Sequence, residues 1–238
     1  SIKSVLTQYI KPHKYLSDGD FSIRAYLENP KKGNLWITWK QDQLAALKPL
    51  ISCWIDTICA SILSMSDVHE KQSFLMILDE LDSLEKLNYI VDALTKGRKH
   101  GLVVVGGFQS FAQLDNTYGK DEAMTLRNSF SSNAVCQVAS GDTYSSEQYS
   151  QIFGKHEVTR YQDNISLGTA GGRGSRQLMK ETESVIMASQ INALKPLEFF
   201  FRFAQSNYVC KTALPYVKRS FVTDGYIEID NEWTVKKS

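Results

Sequence analysis

A run of five apolar residues, Phe74-Leu75-Met76-Ile77-Leu78, ends in two adjacent acids, Asp79 and Glu80. Apolar on both faces, the run reads as a central parallel strand. In an open α/β sheet, ligands bind beyond the carboxyl ends of the strands. A strand that delivers two acids to that edge has the form of a Walker B motif. Asp79 would hold Mg2+, through water, and Glu80 would orient or deprotonate an attacking water. The same pair also suits the start of a helix, where acids complement the dipole.

A second unalternated run, Leu102-Val103-Val104-Val105, leads through Gly106-Gly107-Phe108 to Gln109 and Ser110. An amide at the tip of a neighbouring strand can hydrogen-bond a γ-phosphate or the attacking water, as sensor residues do in RecA-like motors. Between the two runs, Lys96-Gly97-Arg98-Lys99 closes a helix. Arg98 has the donor fork of an arginine finger, or simply complements the helix C-terminus. No GxxxxGK[ST] is present: Gly119-Lys120 lacks a preceding glycine loop, and Gly171-Gly172-Arg173-Gly174 has no lysine. Without that loop the usual triphosphate cradle is missing. Either the acids serve another purpose or the loop lies upstream of Ser1. The start, Ser1-Ile2-Lys3, has no initiator Met and no signal peptide, which reads as a piece of a longer protein.

The elements that must position these residues follow from periodicity. Leu44, Leu47, Ile51, Trp54, Ile55, Ile58 and Ile62 recur at helical spacing, with Pro49 near the start, where a helix tolerates it best. Leu84, Leu87, Val91 and Leu94 predict a helix ending near Gly97, and further helices are expected at 121–130 and from Ser145 to Gly154. Strands are expected at 35–39, 134–138 and 198–203, the last paired with 208–214 in a hairpin across Ser206-Asn207. The glycine-rich stretch 168–174 reads as a loop. Strands alternating with helices of this length imply βαβ units and a parallel sheet.

Composition bounds the rest. The chain has 238 residues, 42% of them apolar, and a formal net charge of +1. That is one large domain or two small ones. Global disorder is excluded, and a dedicated basic nucleic-acid module is not supported. Any DNA contact must come from local patches, such as Lys96, Arg98, Lys99 and His100, or Arg173, Arg176 and Lys180. The four cysteines (53, 59, 136 and 210) form no CxxC, and the four histidines are scattered. We read a reducing compartment and no metal held by Cys or His, with Cys53 and Cys59 as small core residues. The apolar stretch 44–63 contains Lys48, Pro49 and Asp56, which argues against a membrane span.

The motif set resembles a known family. Leu78-Asp79-Glu80-Leu81-Asp82-Ser83-Leu84 with Ala93-Leu94-Thr95-Lys96-Gly97-Arg98-Lys99 looks like the Walker B block of type IV coupling proteins, the TraD/TrwB-like ATPases of bacterial conjugation. The segment 107–114, Tyr118-Gly119 and Thr125-Leu126-Arg127 continue the match in order, and 47–52 with Trp54 fits upstream. Residues 189–197 are similar to the family's EI-x-x-L-P-x-L segment but depart from it, with Gln190 for the acid and Lys195 inserted. The resemblance, over roughly residues 20–217, implies an α/β, RecA-like three-layer fold with a mainly parallel sheet and a C-terminal β-hairpin at its edge. It divides the chain into a lead-in (1–34), a nucleotide-binding half-domain without its P-loop (35–217) and a polar tail (218–238). It further implies ATP and Mg2+ as cofactors of the parent protein, bound by Asp79, Glu80 and Gln109. The implied parent is a membrane-anchored hexameric motor on the cytoplasmic face of the bacterial inner membrane. Its implied partners are DNA without sequence preference, relaxosome proteins and type IV secretion channel components. The chain by itself is expected to be a soluble monomer. The alternatives are a non-catalytic DNA- or protein-binding module of such a protein, and an unrelated doubly wound enzyme whose two acids serve metal-assisted hydrolysis.

Overall fold

In the computed structural model, which describes residues 19–29, 33–40, 42–65, 73–166, 173–206 and 208–220, helices and strands alternate along the chain. They are α1 (Ile23–Leu27), α2 (Leu44–Ser64), β1 (Phe74–Leu78), α3 (Ile90–Lys96), β2 (Leu102–Gly106), α4 (Phe111–Tyr118), α5 (Lys120–Ser129), β3 (Asn133–Val135), α6 (Thr143–Phe153), β4 (Lys155–Ser166), β5 (Arg173–Ser184), α7 (Ala188–Asn192), β6 (Glu198–Arg202) and β7 (Val209–Ala213). Short 3-10 turns at Leu81–Ser83 and Gly97–His100 flank α3.

Strands β1 and β2 pair in parallel, with Phe74 opposite Leu102 and Leu78 opposite Gly106. The connection between them carries α3, so the βαβ unit is real. The other pairings among the described residues are antiparallel: β3 with β6, β6 with β7, and β4 with β5. The strand expected at 134–138 is thus short and joins the hairpin of β6 and β7 rather than extending the parallel pair. No strand forms at 35–39, where Trp36 stands exposed and only Ile37 and Trp39 lean on the core.

One core lies between α2 and the loop–helix segments 81–126, with Ile51, Ile55, Cys59 and Ile62 as the stripe that α2 contributes. The helix is long and apolar enough to cross a membrane by length and composition. Here that stripe is an inner face, and Asp56, half-buried, ties the helix to the next segment. Its carboxylate accepts the backbone N–H groups of Asn88 (3.0 Å) and Tyr89 (3.1 Å), donors that α3 has no local cap to satisfy. Ser52 Oγ accepts the Glu85 N–H, and Tyr118 Oη accepts the Leu87 N–H. Tyr118 and Asp56 thus take the Leu87, Asn88 and Tyr89 donors that a helix from Leu84 would use in its own ladder, and α3 begins only at Ile90. Burial pushes the Cys59 thiol up to about 12, helped by the charge of Asp56, which leaves it an inert packing group. Cys53 sits instead on the exposed side of the helix.

A smaller core gathers Val135, Val138, Phe153, Ile191, Leu194 and Phe200. Tyr149 of α6 packs against both cores, its ring 4.3 Å from that of Phe111. Beyond this second core, β4 and β5 form a twelve-residue ribbon whose side chains, where described, are mostly exposed. The glycine-rich connection at 167–172 and the tail from 221 lie outside the described residues, as do residues 1–18 of the lead-in.

Helices α4, α5 and α6 meet at one buried charge pair. Arg127 Nη1 donates to Asp115 Oδ1 at 2.6 Å, with the two side chains 7% and 10% exposed. Tyr144 Oη donates to the other carboxylate oxygen, and the guanidinium lies 4.7 Å from the Phe111 ring centre. Burial alone would raise the Asp115 carboxyl. The Tyr144 and Arg127 hydrogen bonds outweigh it and hold the group below its ordinary 3.8. A depressed carboxyl adds stability above its unfolded value and loses it as pH falls through the folded value. Asp115→Asn should therefore cost on the order of 3 kcal/mol at pH 7 by leaving Arg127 buried without its counter-charge. Urea titrations should show this deficit narrowing below about pH 4.

Candidate functional site

The carboxyl ends of β1 and β2 are tied by two backbone bonds: Gly107 N–H to Leu78 O at 2.7 Å and Leu81 N–H to Gly107 O at 2.8 Å. The approach is so close that a Cβ on Gly107 would overlap the Asp79 carbonyl, and one on Gly106 would meet the Phe130 ring at 2.6 Å. Glycine is required there for lack of space.

This crossing brings Asp79, Glu80 and Gln109 to the same sheet edge. Asp79 is exposed, Glu80 half-buried and Gln109 exposed, so all three side chains can meet a ligand from solvent. An all-oxygen donor set at a strand end fits a hard cation such as Mg2+, held with waters retained.

Arg98 is not at that edge. It lies in the turn that precedes β2, beside Gly101, whose carbonyl accepts the Phe74 N–H at the start of β1. A five-residue strand spans about 17 Å, so Arg98 lies at the opposite end of the strand pair from Asp79 and Glu80. Of the basic residues around it, Lys96 pairs with Asp92 and His100 is buried, while Arg98 and Lys99 are exposed. In the second basic cluster Lys180 pairs with Glu157 across the ribbon, and the register sets Arg176 opposite Asp163.

One acid had no role in the motif reading. Asp82 is 3% exposed, and its Oδ2 accepts the backbone N–H groups of Gln109 (2.9 Å) and Ser110 (3.4 Å). Its carbonyl accepts Gln113 Nε2 at 3.1 Å. The signal was available as a third acid two residues after Glu80. The next N–H in line, that of Phe111, is accepted by the buried Ser145 Oγ of α6. Asp142 caps α6, and its carboxyl is held below the ordinary range by the Ser145 hydroxyl, then the Ser145 N–H, with Ser110 adding to them.

Residues 1–215 match the family model described as the type IV secretion-system coupling protein DNA-binding domain. The chain belongs to the type IV secretion-system coupling proteins. It is 30% identical over 253 residues to coupling protein TraD of Escherichia coli strain K12, covering 97% of this chain and 33% of TraD. It is 29% identical over 126 residues to the coupling protein VirD4 of Bartonella quintana, covering 53% of this chain and 19% of VirD4. Among solved structures, the conjugative coupling protein TrwB, unbound, is 42% identical with a TM-score of 0.80, over 91% of this chain and 48% of TrwB. TrwB with a non-hydrolysable GTP analogue is 40% identical with a TM-score of 0.81, over 95% of this chain and 51% of TrwB. This chain therefore spans about a third of TraD and about half of the TrwB chains. Likeness at this level upholds the RecA-like α/β expectation for the coupling-protein segment.

The contact at Gly107 yields a direct check. Gly107→Ala should destabilise the chain by about 1–3 kcal/mol, because backbone must move to admit the methyl group. Gly141→Ala, with nothing within 4 Å of the added carbon, should stay within about 0.5 kcal/mol. Thermal unfolding of both variants reads the difference.

Proposed function

We propose that this chain is the Walker B half of the nucleotide-binding domain of a conjugative coupling protein, an ATPase motor that delivers DNA and protein substrates to a type IV secretion channel. The observation that carries the reading is the shared edge of Asp79, Glu80 and Gln109 at the end of a parallel strand pair. TrwB, its structural relative, has been solved with a non-hydrolysable ATP analogue and with ADP and Mg2+. In this chain Asp79 would hold the Mg2+ of ATP through water, and Mg2+ would supply charge neutralisation at the phosphates. Glu80 orients or deprotonates the attacking water, and Gln109 hydrogen-bonds beside it. The P-loop belongs to a part of the protein outside these 238 residues.

Support for that last step comes from the opposite face of the sheet. Leu75, Ile77, Val103 and Val105 of β1 and β2 are 51–65% exposed. An apolar patch on a parallel sheet is normally covered, and the TrwB chains are about twice as long as the region matched. The P-loop portion is the natural cover. Around this unit we place the parent at the cytoplasmic face of the bacterial inner membrane. There it acts as a hexamer that grips DNA without reading sequence and meets relaxosome and channel components. The 238-residue chain alone is a monomer. The separation of Arg98 from the acids suits an arginine finger in trans.

Three outcomes follow. The 238-residue chain should hydrolyse ATP negligibly. In the intact protein, Glu80→Gln should lower turnover by about 10²-fold or more while sparing nucleotide binding. Arg98→Ala should lower turnover by about 10³-fold, and mixing it with Glu80→Gln protein should restore some activity. Steady ATPase from the short chain that Glu80→Gln abolishes would overturn the split-site reading, and no recovery in mixed assemblies would return Arg98 to a helix-capping role.

A further inference from the structure

On the site reading above, we propose that Asp82 is a positioning residue for nucleotide hydrolysis, acting through the Gln109 backbone. A buried carboxylate is tolerated only where donors satisfy it. Asp82 finds its donors at the two residues where the chain leaves β2 and enters α4. The paired strand ends are already joined by the Gly107–Leu78 and Leu81–Gly107 bonds. The Asp82 bonds act beyond that junction, on the two peptide units that determine where the exposed Gln109 side chain begins. Ser110 stands at the N-terminal boundary of α4 without a side-chain cap bond of its own, and Asp82 satisfies its backbone N–H from another segment. A further bond, from Gln113 Nε2 to the Asp82 main-chain carbonyl, fastens the next turn of the same helix whatever side chain stands at 82.

The consequence is geometric. Asp82 lies two residues from Glu80 in a tight 3-10 turn, so one short segment carries the base and also sets the position of the sensor amide. A displacement of about 1 Å at such a site costs about 10²-fold in rate. Asp82 is no cation ligand: its Oδ2 is engaged by two N–H groups inside the protein, while Asp79 faces solvent.

The test uses the intact coupling protein, with ATP turnover and binding of a fluorescent ATP analogue as separate readouts. Asp82→Ala should lower kcat about 10- to 100-fold and leave nucleotide affinity within about threefold. Asp82→Asn, whose amide oxygen can take the place of Oδ2, should keep most of the turnover, whereas Asp82→Glu, displaced by one methylene, should show the kcat loss. In a Gln109→Ala background, Asp82→Ala should cost little further, because both act at one point. Full turnover of Asp82→Ala, a loss confined to nucleotide affinity, or two losses that multiply would each overturn the proposal. If Asp82→Ala does not fold, equal turnover of the Asn and Glu variants overturns it. Glu80→Gln run in parallel separates the failures. If it retains turnover, the site reading itself falls. If it is inactive while Asp82→Ala is fully active, only the role of Asp82 falls.

Discussion

Everything at the candidate site depends on the crossing of two strand ends at Gly107. Because no side chain separates that residue from the Asp79 carbonyl, the chain leaving β1 and the chain leaving β2 are held at backbone-contact distance. The bonds around them, from Leu78 through Asp82 on one side and Gly107 through Gln113 on the other, make one unit of two segments far apart in sequence. Rigidity of this kind is what preorganised catalysis requires, since donors and bases that must reorient lose most of their effect.

The same junction connects outward. Phe111 N–H rests on Ser145, and Ser150 Oγ of the same helix α6 donates to the Ile186 carbonyl just past β5. The Val185 N–H donates to Gly154 O, clipping the base of the ribbon to the end of α6. Thus α6 touches the segment between β2 and α4 with its first turn and carries the β4–β5 ribbon on its last. Tyr149 fills the space between the two cores along the way.

Much of this was legible from residue order. The strands β1 and β2 are unalternated apolar runs, and α2 shows a clear helical stripe. The hairpin of β6 and β7 is marked by its turn. Asp79, Glu80 and Gln109 share an edge because parallel strands deliver their carboxyl ends together. Other features depend on partners distant in sequence, which local pattern does not encode. The shortened α3 follows from Asp56 and Tyr118 capturing its donors. The stretch 35–39 has strand-forming residues but no strand beside it among those described. The ribbon of β4 and β5 is not legible in the sequence because polar residues dominate both of its faces, so no periodicity distinguishes it from loop. Asp82 was visible as an acid, but its burial against the Gln109 amide needed the fold.

That ribbon has a further property. Each of its strands extends about 40 Å, and each has an outer edge that its partner does not pair. Such edges invite pairing with strands of other molecules. Here Arg160 reaches Glu183 at 2.6 Å and Glu181 at 3.6 Å, while Lys180 reaches Glu157 at 2.7 Å. These exposed ion pairs contribute little to folding, and charged side chains beside a strand edge disfavour such pairing. A foreign strand docking on either edge would have to accommodate charges of both signs along its length. Beside them lie Tyr161, Leu178 and Met179, the exposed large apolar groups of this region. Charges interspersed among apolar groups are the pattern that disfavours edge-to-edge and amyloid-like stacking.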